Sequence, residues 1–175
     1  MIVILDFDGT LTAEEQQAHS LAERSLATLA QEVIGVPVAQ LQADYDSTRA
    51  ALLAEPHRHG WEVNGLLASY CDEGAFILNT TTLQTMLRSH PAYGRAVARR
   101  FPRAEYDPIV DCTNHLFHRH TAELPPRFRP GARELLRTLL DRQRCLPLVL
   151  TNSLGDKVGR YLAGLDLGQP LEILG

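Results

Sequence analysis

The sequence predicts an α/β fold in which a parallel sheet is built from both ends of the chain and a helical segment is inserted between them. Short apolar runs typical of buried strands occur near the termini, at MIVIL, CLPLVL and LEILG. Between Thr12 and Glu123 no strand alternation stands out. We therefore expect a core made of residues 1–13 and 125–175, with an all-helical insertion of residues 14–124.

The insertion shows helical periodicity in several places. A first helix is predicted from Glu14 to about Val33, and a second from Leu41 to Leu52, which ends before Pro56. The stretch HRHGWEVNG is interpreted as a loop. Further helices are expected at residues 66–70, in TTTLQTMLRSH, and at residues 91–101 and 107–120.

The C-terminal part returns to alternating strands and helices. The segment ELPPRFRPG contains three prolines and is interpreted as a rigid connector. A helix then opens at Pro130. Its predicted apolar face consists of Leu135, Leu136, Leu139 and Leu140. A strand in CLPLVL, a turn and helix in TNSLGDKVGRYLAGL, and a last strand in LEILG complete the predicted core.

Composition narrows the class of protein. The 175 residues are 45% hydrophobic, which suits one core with an inserted lobe, and the formal net charge of −4 disfavours binding to nucleic acid or membrane surfaces through global charge. No apolar run is long enough for a membrane span and no basic segment precedes an N-terminal apolar one, so we expect a cytoplasmic protein. Cys71, Cys112 and Cys145 are widely spaced, as is typical of reduced thiols.

Two acidic residues, Asp6 and Asp8, follow the first apolar run in VILDFDGTLT. Because one residue separates them, an extended backbone would direct both carboxylates the same way, at the strand end where open α/β sheets bind ligands. One carboxylate can act as a nucleophile and the other as a proton carrier. Mg²⁺ would relieve their repulsion, since it favours carboxylate and carbonyl oxygens, and Gly9 permits the sharp turn that follows.

The segment DFDGTLT resembles the first signature of the haloacid dehalogenase-like (HAD) hydrolase superfamily, whose members are mostly phosphatases. The resemblance implies a Rossmann-like core with a parallel sheet. It implies that Asp6 attacks phosphorus to form an aspartyl-phosphate, and that Asp8 protonates the leaving alcohol and then activates water. It also implies a Mg²⁺ ion bound by the Asp6 side chain and the main-chain carbonyl of Asp8. The alternative is an acidic turn after a core strand.

The segment LPLVLTNS is similar to the second signature of this superfamily, an apolar strand that ends in Thr or Ser. The similarity implies that the Thr151 hydroxyl and the backbone at Asn152 bind a phosphate. The N–H groups that begin the following helix also favour an anion, although a Thr-Asn cap is common for structural reasons alone. The helical insertion lies where many members carry a C1-type cap that excludes water and selects the substrate.

Two further signatures of the superfamily, a lysine and additional acids for the metal, do not follow LEILG, so we expect a C-terminally incomplete core. Lys157 is the only lysine, and we interpret it as a surface residue, with the role of the missing cation as the less favoured alternative.

Residue clusters in the insertion give weaker signals. We interpret Arg88, Arg95, Arg99, Arg100 and Arg103 as a solvated helix face rather than an anion-binding face. We interpret His115, His118 and His120 as ordinary helix residues rather than a metal site, because their spacing does not place them on one helical face.

These features predict a Mg²⁺-dependent phosphatase that acts on a small phosphorylated metabolite, with no nucleic-acid or membrane partner. A phosphomutase of the same superfamily remains open, as does a non-catalytic relative that binds a phosphorylated ligand in an incomplete site. The identity of the substrate and the oligomeric state do not follow from the sequence.

Overall fold

The computed structural model of the protein describes residues 1–102, 107–151 and 153–175. In this part of the chain a parallel three-stranded sheet and a separate antiparallel two-stranded sheet accompany the helices. The chain divides into two compact units. Residues Met1–Gln17 and Pro125–Gly175 form the first, here named the core unit, and Ala18–Leu124 form the second, the inserted unit. The predicted α/β fold with a parallel sheet is confirmed.

The strands and the helices are each numbered in the order in which they occur along the chain. The strands are β1 (Ile2–Asp6), β2 (Gly60–Val63), β3 (Leu66–Tyr70), β4 (Leu146–Leu150) and β5 (Glu172–Leu174). The helices are α1 (Glu14–Thr28), α2 (Val38–Ala54), α3 (Ala75–Ser89), α4 (Pro91–Arg100), α5 (Pro108–Glu123), α6 (Ala132–Leu140) and α7 (Gly155–Ala163). The division between the units lies inside α1, at Gln17, whereas the sequence places it just before this helix.

The sheet of the core unit has the order β1-β4-β5, with all neighbours parallel. The register pairs Asp6 of β1 with Leu150 of β4, so the carboxyl ends of these strands lie side by side. One face of the sheet packs on α6 and α7 through a buried cluster of Phe7, Leu11, Ala132, Leu136, Val149, Val158 and Leu162. Large apolar side chains on the other face are exposed, namely Ile2, Ile4, Leu146, Leu150 and Leu174.

The insertion is not all-helical, and that prediction is wrong. Strands β2 and β3 form an antiparallel hairpin within residues 60–70, including the segment 66–70 that the sequence analysis assigned to a helix. Asn64 and Gly65 connect the strands with φ of 54° and 76°, and positive φ at both central residues is what a type I′ hairpin turn requires. The Asn-Gly pair was therefore a hairpin signal that the loop interpretation of HRHGWEVNG missed.

The helices of the inserted unit share one apolar cluster. It consists of Ala22, Leu26, Leu29, Ala30, Leu41, Tyr45, Leu83, Met86, Leu87, Tyr93, Val97, Cys112 and Leu116. Local sequence fixes where α5 starts. The Asp107 carboxylate accepts hydrogen bonds from the N–H groups of Ile109 and Val110 at 2.8 and 2.9 Å, and Pro108 occupies the first helical position.

We expect Leu136→Ala to lower the free energy of unfolding of the core unit by about 2–5 kcal/mol, because the side chain is 0% exposed and its removal leaves a cavity under the sheet. Urea denaturation measures the loss. The adjacent Leu135 is 47% exposed on the same helix, so Leu135→Ala is the matched control and should cost under about 1 kcal/mol. Equal losses in the two variants would contradict the packing of α6 described here.

Candidate active site

The acidic pair lies at the end of β1 and in the turn that follows it. β1 ends at Asp6, and residues Phe7–Leu11 form a turn whose two terminal residues are buried in the core cluster. Gly9 in this turn has φ of 78°, a conformation that glycine adopts without strain. The Thr12 hydroxyl accepts a hydrogen bond from the Gly9 N–H and donates one to the Phe7 carbonyl, each at 3.3 Å, which fixes the turn from its C-terminal side.

The two carboxylates occupy different environments. Asp6 is exposed, and its Oδ2 accepts a hydrogen bond from the Thr10 hydroxyl at 3.2 Å. Asp8 is partly buried, and its Oδ2 accepts a hydrogen bond from the Ser153 hydroxyl at 2.8 Å. Burial raises the pKa of Asp8 above its ordinary value, against the lowering effects of the Ser153 hydrogen bond and the charge of Lys157. The nearby charge of Asp6 raises the pKa of Asp8 slightly further.

The second motif lies at the same edge of the sheet, because Thr151 follows the Leu150 that pairs with Asp6. Thr151 is 7% exposed, and its Oγ1 accepts a hydrogen bond from the Ser153 N–H at 3.0 Å. Ser153 thus contacts both Thr151 and Asp8. Asn152, the other predicted phosphate-binding residue, lies outside the described residues.

The charge of Lys157, which lies on α7, also acts on Asp8. The side chain is partly buried, and burial lowers its pKa while the charge of Asp8 raises it. Lys157 is therefore close enough to Asp8 for the two charges to interact, a position that sequence spacing alone did not predict. Its favoured interpretation as a surface residue does not describe this environment.

Arg129 stabilises the acidic turn, a role that the sequence does not predict. Its Nε donates a hydrogen bond to the Gly9 carbonyl at 3.0 Å, and its two terminal nitrogens donate to the Glu15 carboxylate at 3.1 and 3.0 Å. The backbone N–H of Arg129 donates to the Leu11 carbonyl at 2.9 Å. No sequence pattern marks an arginine in a proline-rich connector for this contact, since it joins residues far apart in the chain.

The oxygen atoms at the end of β1 fit Mg²⁺. Asp6 offers an exposed carboxylate and Asp8 a main-chain carbonyl, and Mg²⁺ is commonly held by one or two carboxylates with water completing its octahedron. Across residues 1–102, 107–151 and 153–175, no group of three or more His, Cys, Asp or Glu side chains is arranged to hold a metal ion.

Several members of the arginine and histidine clusters in the inserted unit make structural contacts. His120 is 5% exposed, its Nε2 lies 3.0 Å from the Thr28 hydroxyl, and burial lowers its pKa, so this ring belongs to the core of the unit. Arg88 donates to Asp107 at 2.8 Å, and the Arg100 guanidinium lies 5.9 Å from the centre of the Phe101 ring. Arg103 lies outside the described residues.

Comparison with known proteins yields no family assignment. No protein-family model matches the sequence, and a search of curated proteins finds no match either. In the described part of the chain no helix combines the length and apolar character needed to cross a membrane. The two motifs and the geometry of their residues are therefore the features that point to a function.

We expect Asp8→Asn to stabilise the core unit at pH 7 in metal-free buffer. The folded pKa of Asp8 lies above the unfolded value of 3.8, so its favourable contribution to stability is present below pH 3.8 and is lost as the pH rises through the folded pKa. Asparagine removes the buried charge and retains an acceptor for Ser153. Urea denaturation at pH 7 and pH 4 should show an advantage for the variant that shrinks at the lower pH.

The exposed Asp156 on α7 provides the control, and Asp156→Asn should change the free energy of unfolding by no more than about 0.5 kcal/mol. An Asp8→Asn protein that is less stable than the wild type at pH 7 would show that the ionised carboxylate is favourable in the folded state.

Proposed function

We propose that the protein is a Mg²⁺-dependent phosphatase of the HAD type, which hydrolyses a small phosphorylated metabolite through an aspartyl-phosphate on Asp6. One observation carries the proposal: the acidic turn after β1 and Thr151 after β4 leave the same edge of the sheet and are linked through Ser153, and the charge of Lys157 acts on Asp8. A nucleophile, a proton carrier, a hydroxyl donor and a cation are thereby available at a single place. By the same resemblance, the inserted unit is the cap that selects the substrate.

Asp6 and Asp8 differ in the way that a nucleophile and an acid must differ. Asp6 is exposed, which suits attack on phosphorus by a carboxylate oxygen. Asp8 is partly buried with a raised pKa, which favours the protonated form needed to donate to a leaving oxygen. Environment, rather than residue type, supports this assignment of roles.

The reaction then proceeds in two steps. An Asp6 oxygen forms a bond to phosphorus as the bond from phosphorus to the ester oxygen breaks, and Asp8 gives its proton to that oxygen to release the alcohol. The Asp8 carboxylate next takes a proton from water, whose oxygen attacks phosphorus, releases inorganic phosphate and restores the Asp6 carboxylate. The Asp6 carboxylate and the Asp8 main-chain carbonyl would hold Mg²⁺, which would supply positive charge that reduces the repulsion between the phosphate and Asp6.

Thr151 and Lys157 would stabilise the transferring phosphoryl group. The Thr151 Oγ1 accepts from the Ser153 N–H, so its own hydrogen is available to donate to a phosphate oxygen. The Lys157 ammonium group adds a positive charge within range of Asp8, and charge stabilisation of this kind is often the largest catalytic contribution.

We expect Asp6→Asn to abolish phosphatase turnover, because an amide is a far weaker nucleophile at phosphorus. Asp8→Asn should lower kcat about a hundredfold or more through loss of the proton carrier. Turnover is measured as phosphate release across a panel of phosphorylated metabolites with Mg²⁺, and EDTA should remove it. Asp46→Asn, at an exposed carboxylate of the inserted unit, is the control. Wild-type turnover in Asp6→Asn would rule out this mechanism.

We expect Lys157→Met to lower kcat/KM for a phosphate ester about a hundredfold, since it removes a positive charge from the site while keeping much of the side-chain volume. Arg160 is an exposed cation on the same helix, so Arg160→Met controls for a general loss of charge and should leave kcat/KM within about threefold of the wild type. Unchanged kcat/KM in Lys157→Met would show that this residue has no catalytic role.

A further inference from the structure

Ser153 is the residue that joins the two predicted motifs, and neither motif assigns it a role. Its hydroxyl donates to Asp8 Oδ2 at 2.8 Å, and its backbone N–H donates to Thr151 Oγ1 at 3.0 Å. Asp8 belongs to the turn after β1 and Thr151 follows β4, so these hydrogen bonds connect the carboxyl ends of two adjacent strands.

The hydroxyl of Ser153 is not needed to start the helix that follows it. α7 begins at Gly155, and its N-cap residue Leu154 makes no side-chain hydrogen bond to the first N–H groups. A serine just before a helix usually serves that purpose, through a hydrogen bond from the N–H of the second or third helical residue. In this protein the hydroxyl hydrogen is directed instead to a carboxylate 145 positions away in the sequence.

The bond to Ser153 distinguishes the two oxygens of Asp8. A serine hydroxyl has one hydrogen, and here it is donated to Oδ2, so this oxygen acts as an acceptor. A proton that Asp8 exchanges with a leaving group is therefore carried on Oδ1. Fixing one carboxylate oxygen also restricts rotation of the side chain, which matters because proton transfer requires close and aligned partners.

We propose that Ser153 is a positioning residue, which holds Asp8 through Oδ2 so that Oδ1 faces the leaving oxygen of the substrate. The inference rests on the proposed phosphatase function and adds to it a residue to which neither signature gives a role. It requires no change in substrate binding, because Ser153 acts through Asp8.

The experiment compares two substrates that differ in their need for a proton. p-Nitrophenolate departs readily without protonation, whereas phenolate is a poorer leaving group and depends more on the acid. We measure kcat and KM for both aryl phosphates with Mg²⁺, in the full chain and in Ser153→Ala, Ser153→Cys and Ser153→Thr. The control is Ser69→Ala, which removes a hydroxyl that donates to the Glu73 carboxylate at 2.6 Å in the inserted unit.

The expected result is a fall in kcat/KM for phenyl phosphate of about tenfold or more in Ser153→Ala and Ser153→Cys. The fall for p-nitrophenyl phosphate should be smaller, and KM should stay within about threefold of the wild-type value. Ser153→Thr retains a hydroxyl and should recover most of the activity, and Ser69→Ala should match the wild type.

Two outcomes separate the failure of this inference from failure of the proposed function. If the wild type turns over substrate faster than Asp6→Asn but Ser153→Ala is unchanged, or loses equally on both substrates, Ser153 is not a positioning residue and the phosphatase proposal stands. If the wild type is no faster than Asp6→Asn on either substrate and on the panel of phosphorylated metabolites, the proposed function is overturned and the role of Ser153 falls with it.

Discussion

The parallel pairing of β1 with β4 is the constraint on which the candidate site depends. It places Asp6 opposite Leu150, so the acidic turn and the Thr151 segment emerge from the same edge of the sheet. A slip of one residue would turn one strand's side chains to the opposite face and move Val149 out of the buried cluster. Core packing therefore fixes the register, and the register places the residues of the two motifs at the same edge of the sheet.

The candidate site contains partly buried charged groups, and burial of a charge opposes folding. Burial of Asp8 opposes its ionisation, and the charge of Asp6 adds to that effect, while Ser153 and Lys157 partly offset it. Lys157 is itself partly buried at some cost to its charged form, and the Asp8 carboxylate favours that form. Such opposed environments are common at functional sites, because a group suited to proton transfer must lie near the balance between its two states.

The sequence could predict those parts of the fold and site that depend on neighbouring residues. The strands near the termini follow from short apolar runs, and Asp107 and Pro108 mark the start of α5. The hairpin of the inserted unit also depends on neighbouring residues, because its Asn64-Gly65 turn is a hairpin signal. The helical spacing of apolar residues after this turn nevertheless favours a helix, and that prediction is wrong. The contacts of Ser153, Lys157 and Arg129 could not be read from local pattern, because each depends on which residues folding brings to the end of β1.

The long insertion separates the two motifs in sequence but not in the core unit. The reason is that the segment before the insertion pairs with the segment after it. The Ala13 N–H donates to the Arg127 carbonyl at 2.8 Å, and Thr12 bridges to Phe128 in antiparallel fashion. These bonds close the insertion at its base, and the entropy of closing a loop grows only slowly with its length. Arg129 adds hydrogen bonds to Gly9 and Glu15. In the part of the chain that the structure describes, the contacts that fix the acidic turn thus belong to the core unit, so the inserted unit can vary in sequence and still leave the acidic pair in place.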